Sequence, residues 1–163
     1  MRITTKTLVT AAGIALVAPG MAAAATTTTT FQVTATVTSA CSVSATNLSF
    51  GAYDPTSAIP KDATSTINVT CTLLAPYAVR LSGGGSGDTA ARVMDGGTST
   101  DLGYQLYSDA LRTTVWGNTG TDDVAGVGGG LVAVPHTVYG RIAAGQDVEP
   151  GSYVDTVTVS VDF

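Results

Sequence analysis

Between residues 153 and 163 the sequence reads YVDTVTVSVDF. Tyr153, Val157, Val159, Val161 and Phe163 share one face of an extended chain, and Thr156, Thr158, Ser160 and Asp162 share the other. A period of two marks a β-strand. The stretch TTTTTFQVTATVTSAC, residues 26–41, repeats the pattern. Phe31, Val33, Ala35 and Val37 fall on one side, and Gln32, Thr34 and Thr36 on the other. Helical periodicity is almost absent. An apolar strand face has to be buried, so each of these strands needs a partner. The partner is either the chain's own domain or another molecule.

Residues 1–25 read as a secretory signal peptide. Arg2 and Lys6 form a basic start, the apolar run LVTAAGIALVAPGMAAAA follows, and its alanines offer cleavage after Ala24 or Ala25. The run is too short and too broken, at Pro19 and Gly20, for a membrane anchor. Cleavage leaves 138 of the 163 residues, one ordinary domain. It also leaves five basic against twelve acidic residues, a formal charge of −7. Nucleic acid is a poor partner for such a chain, because phosphate contact needs clustered Lys and Arg.

Charged residues make up only 12% of the chain, and Thr, Ser, Gly, Ala and Val dominate. Uncharged Thr faces suit strand pairing, since like charges across a ladder repel. Cys41 and Cys71 are both retained after cleavage. In an oxidising compartment an even pair reads as a disulfide, with two buried thiols as the alternative. Closing a loop of this length stabilises a fold by roughly 3–4 kcal/mol in the chain-entropy account.

Several shorter alternating runs lie between the two terminal ones. Cys41, Val43 and Ala45 continue the phase of Phe31 to Val37. NLSFGAY, residues 47–53, is expected as a short strand ended by DPTS. STINVTCTL places Ile67, Val69, Cys71 and Leu73 on one face, and YAVRLS places Tyr77, Val79 and Leu81 inward. GGGSGD, residues 83–88, reads as a hairpin turn. ARVM is a brief strand, LGYQLYSDA alternates Leu102, Tyr104 and Leu106, and RTTVWG is another short strand. LVAVPHTVYGRI is a strand interrupted by Pro135, which suggests an edge or a switch between sheets. Many short strands separated by regular turn signals predict an all-β sandwich.

Catalytic constellations are missing. His136 is the single histidine, and no G-x-S-x-G elbow presents a nucleophile to it. A zinc site wants several His or Cys ligands. The glycine runs at 83–88 and before Gly130 lack the Lys-Ser/Thr ending and helix of a phosphate loop. Asp122 and Asp123, with Asn118, read as a solvated loop rather than a calcium site. Trp116 reads as packing rather than a sugar-stacking platform. Twelve acidic residues are available, but nothing singles out a pair for glycoside hydrolysis. The expectation is a protein that is not an enzyme and needs neither metal nor cofactor.

Three stretches carry a resemblance. They are ACSVSATNLSFGAYDP with a second cysteine in INVTC, LGYQLYSDALRTTVWG, and VYGRIAAGQDVEPGSYVDTVTVSVDF. Together they resemble the spore coat protein U domain family, whose members include pilins of the archaic chaperone–usher pathway. The Y-x-L-Y-x-D-x-x-R stretch and the G-x-Y-x-D-x-x-x-V-x-V-x-F ending are fairly specific in combination.

The resemblance implies an incomplete immunoglobulin-like β-sandwich completed by donor-strand exchange. A periplasmic chaperone first fills the groove left by the missing strand. The N-terminal segment of another pilin subunit then replaces it at an outer-membrane usher. Carried onto this chain, residues 26–38 are the donor segment, with Thr28 to Val37 as its strand and Phe31, Val33, Ala35 and Val37 as its groove-filling side chains. Residues 39–163 are the pilin domain. Cys41 and Cys71 form the family disulfide. Tyr153, Val157, Val159, Val161 and Phe163 line the groove.

The function expected is that of a structural pilus subunit, exported to the periplasm and then displayed at the cell surface, supporting adhesion and biofilm formation. Its partners are other pilin subunits, a chaperone and an usher. Burying four such donor side chains contributes, as an upper bound, roughly 5–9 kcal/mol. The alternatives are a secreted carbohydrate- or surface-binding module, such as a tip adhesin, and a self-associating coat protein.

Overall fold

The computed structural model describes residues 24–97 and 99–163. The expected leader lies outside the described residues, apart from Ala24 and Ala25. Among the described residues eight strands follow in chain order: β1 (Cys41–Ala45), β2 (Lys61–Cys71), β3 (Pro76–Leu81), β4 (Arg92–Met94), β5 (Leu102–Tyr107), β6 (Val124–Val127), β7 (Val134–Ile142) and β8 (Val159–Asp162). All pairings are antiparallel. One sheet has five strands, in the order β1-β2-β7-β5-β4. The other has three, in the order β6-β3-β8.

The core between the sheets is the set of alternating apolar positions. Ile67, Val69 and Cys71 come from β2, Tyr77, Val79 and Leu81 from β3, Leu102, Tyr104 and Leu106 from β5, and Val138 and Ile142 from β7. All are buried. Leu73 departs from the expected face and is exposed, because β2 stops at Cys71 and residues 72–75 turn into β3. Cys41 and Cys71 form a disulfide between residues directly opposite each other in the β1–β2 ladder.

Pro135 sits where its missing N–H costs least. β7 pairs with β2 along its whole length, but with β5 only from Tyr139 to Ile142. The half of β7 that contains Pro135 is therefore a local sheet edge.

Three local expectations need correction. Residues 83–88 are not a hairpin turn. They lie in the connection that carries the chain from β3, in the three-stranded sheet, to β4, in the five-stranded sheet, and include a 3-10 turn at Gly84–Ser86. RTTVWG forms no strand and makes a single bridge, Val115 to Tyr107. Residues 47–53 form no strand either, although Leu48 and Phe50 pack against the core. These two side chains lie over Gly140, where a Cβ would come within 2.8 Å of Phe50 and 2.9 Å of Leu48. Glycine at 140 is what admits the segment.

Candidate functional site

The two sheets are joined tightly on one side. Arg92 of β4 is buried, and its guanidinium donates five hydrogen bonds. Nε reaches the Ser82 carbonyl at 2.9 Å. The terminal nitrogens reach the carbonyls of Leu81, Thr89 and Trp116 and the Gln105 side chain at 2.6–3.2 Å. Among the described residues no carboxylate forms an ion pair with it. Five donors meeting five acceptors is the full capacity of a guanidinium. Trp116 is buried beside it and donates from its indole nitrogen to the Val79 carbonyl at 2.9 Å. Trp116 is thus packing, not an exposed platform.

The other side is open. A cleft of about 570 Å³ runs between residues 45–50 and residues 153–159. Its floor is the inward face of the five-stranded sheet, with Ile67, Leu106, Tyr104 and Val138. Tyr153, Val157 and Val159 form one wall. A second cleft continues it past Phe50, Tyr53, Ile142 and Pro150. β8 pairs with β3 alone, and its first residue, Val159, lines this opening. Val43 shows the same deficiency. It lies opposite the fully buried Val69, yet it is 41% exposed.

The C-terminal run predicted as one strand from Tyr153 to Phe163 is divided. Only Val159–Asp162 is laddered to β3, and Val154 makes a lone bridge to Asp95. Between them the chain is held by side chains. Asp155 accepts a 2.8 Å bond from the Gly85 amide and a 2.6 Å bond from the Tyr104 hydroxyl. A Cβ at Gly84 would overlap that carboxylate, so the glycine run serves this docking. Burial, and then the bond to Asp155, push the Tyr104 phenol well above its usual pKa. Val161 packs on the core from the partly exposed edge, while Phe163 is mostly exposed.

Residues 24–40 carry no secondary structure, and Phe31, Val33, Ala35 and Val37 are all exposed. The remaining candidates are structural. His136 is half-buried, with Nε2 2.8 Å from the Tyr77 hydroxyl. Asp122 caps its own loop by accepting from Thr119, and Asp123 pairs with Arg80 at 3.3 Å. Among the described residues no group of three or more His, Cys, Asp or Glu could hold a metal ion, and no helix is long and apolar enough to cross a membrane.

Compared with known proteins, residues 27–160 match the Spore Coat Protein U domain. The chain belongs to this family. It is 40% identical over 168 residues to Protein U of Myxococcus xanthus, and the match covers 93% of each chain. Among solved structures it is similar to a chain in the CsuC–CsuE chaperone–tip adhesion subunit pre-assembly complex from the archaic chaperone-usher Csu pili of Acinetobacter baumannii. The TM-score is 0.57 and the identity 26%, over 78% of this chain. The chain spans 41% of the length of that matched chain. The fold is an all-β, immunoglobulin-like sandwich similar to that of a pilus subunit.

Proposed function

We propose that this chain is a structural subunit of an archaic chaperone–usher pilus, and that residues 26–38 of one copy complete the three-stranded sheet of the next. The observation that carries this reading is the pairing of a deficiency with a supply. The cleft is open, and β8, whose Val159 lines it, pairs with a strand on one side only. The exposed segment Phe31, Val33, Ala35, Val37 has the alternation of such a strand. An extended segment added there gains main-chain hydrogen bonds along the free edge, and its alternate side chains enter the apolar floor. An uncharged donor face is required, because a buried unpaired charge would weaken the joint.

Tyr153, Val157, Val159 and Val161 are the groove residues of this reading, with Phe163 at the rim. A periplasmic chaperone covers the cleft before assembly, and an outer-membrane usher hosts the exchange. The joint is head to tail and does not close on itself, so it produces a filament. The product is a surface pilus, with adhesion and biofilm formation as its roles. Family membership and the likeness to a chaperone–usher pilus subunit support this assignment.

The test is a pair of charged substitutions. Val33→Asp and Val37→Asp should each abolish polymers, seen as loss of the ladder on unheated gels, while the subunit still binds its chaperone. Fibres of normal yield from both variants would contradict the donor assignment.

A further inference from the structure

The pole of the sandwich from which the N-terminal segment leaves is unusually apolar. β2 ends there at Cys71, and the turn into β3 exposes Leu73 and Leu74, at 66% and 75%. The connection between β6 and β7 lies against this turn. Leu74 donates to the Gly128 carbonyl at 2.9 Å, and the Gly128 amide donates to Ala75 at 2.8 Å. A Cβ on Gly130 would lie 3.6 Å from Leu73. This second loop exposes Leu131 completely, and Val132 at 69%. Leu74 adopts a φ of 62°, a left-handed conformation that leucine rarely takes. Neither TLLA nor GGGLV contains a charge. Isolated exposed leucines are ordinary, but a contiguous uncharged cluster marks an interaction surface.

Chain length identifies what covers it. Ala40 is fixed to this pole by hydrogen bonds with Thr72, at 2.9 and 3.0 Å, and Cys41 by the disulfide. Only residues 38–40 separate Cys41 from Val37. Four Cα steps span at most about 14 Å. If Val37 occupies another copy's groove, the body of that copy has to lie directly against this pole.

We propose that Leu73, Leu74, Leu131 and Val132 form a collar that packs on the opposite pole of the next copy of this chain, around the mouth of its groove. That opposite pole is where β2 begins at Lys61, after the exposed Ile59, and where the cleft opens past Tyr53 and Pro150. Two collar poles meeting each other would make a self-complementary contact and close a dimer. Only unlike poles propagate. The proposal rests on the pilus reading and adds a second interface to it, one that fixes the angle between successive subunits.

Two full-chain variants test it. Leu131→Cys combined with Ile59→Cys should give an intermolecular disulfide ladder when assembled polymers are oxidised, and neither single substitution should do so. Leu73→Glu combined with Leu131→Glu should still polymerise, but its polymers should dissociate at least tenfold faster under denaturant. Both pairs are exposed positions that leave the core intact. Polymers of Leu73→Glu/Leu131→Glu as durable as the parent's, together with no cross-link in the cysteine pair, would overturn the collar. If Val33→Asp blocks polymers in parallel, the donor-strand reading survives that result. A chain that forms no polymer under any condition would overturn both.

Discussion

At the β4 edge of the five-stranded sheet the chain supplies its own cover. Asp95 and Val154 exchange both backbone hydrogen bonds, at 2.9 and 3.0 Å, and Arg92 ties β4 to Leu81, Ser82 and Trp116. At the β8 edge of the three-stranded sheet nothing among the described residues pairs, and the core floor is open. Among the described residues, no buried side-chain nitrogen or oxygen lacks a partner. What the open side lacks is apolar cover and a main-chain partner. A β-strand provides both at once.

The comparison is sharpened most by supplying the proposed strand in cis. A second copy of residues 28–37, joined after Phe163 by a short flexible linker, should occupy the cleft intramolecularly. Melting of the purified chain should rise by roughly 15 °C, the shift that about 5 kcal/mol gives a domain of this size, and polymers should disappear. No change in melting would mean that the cleft does not accept the strand.

The closed edge is broken by Arg92→Met. Four carbonyls and Gln105 lose their donor, and we expect a loss of about 3–5 kcal/mol in denaturant titration. A loss under 1 kcal/mol would show that the guanidinium is dispensable for joining the sheets. Removing the disulfide by Cys41→Ser with Cys71→Ser should lower stability by about 3 kcal/mol in the same assay. An unchanged midpoint would contradict its role in fixing β1.

The smallest effect concerns His136. Burial holds its imidazole below the usual 6.5. The folded state therefore prefers the neutral ring, and the unfolded chain binds the extra proton. The contribution is complete above about pH 6.5 and is lost as pH falls below it. Unfolding midpoints should fall more steeply between pH 7 and 5 for the parent than for His136→Gln. Identical slopes would remove His136 as a source of acid sensitivity.

Much of this architecture is legible in the sequence because a period of two reports which face is inside. The inward apolar residues of β2, β3 and β5 are readable in this way, whereas the buried Ser65 of β2 is not. The same pattern misleads where the ladder ends. Leu73 continues the phase of Ile67 and Val69 but falls in a turn, and residues 47–53 alternate without pairing. Arg92 could not be found from the sequence. It is one cation in a three-residue strand, and its acceptors sit at positions 81, 82, 89, 105 and 116, brought together only by the tertiary fold. The Tyr104–Asp155 bond is hidden for the same reason. The alternation of Phe31, Val33, Ala35 and Val37 is plain in the sequence, and the structure leaves all four exposed; alternation records the need for burial and not its source.

Amide hydrogen exchange on assembled polymer tests the central claim most directly. If residues 26–38 complete a neighbouring sheet, the amides from Phe31 to Val37 should exchange at least about a hundredfold more slowly in polymer than in the subunit before assembly. Exchange at the rate of an unfolded peptide in both states would contradict the account.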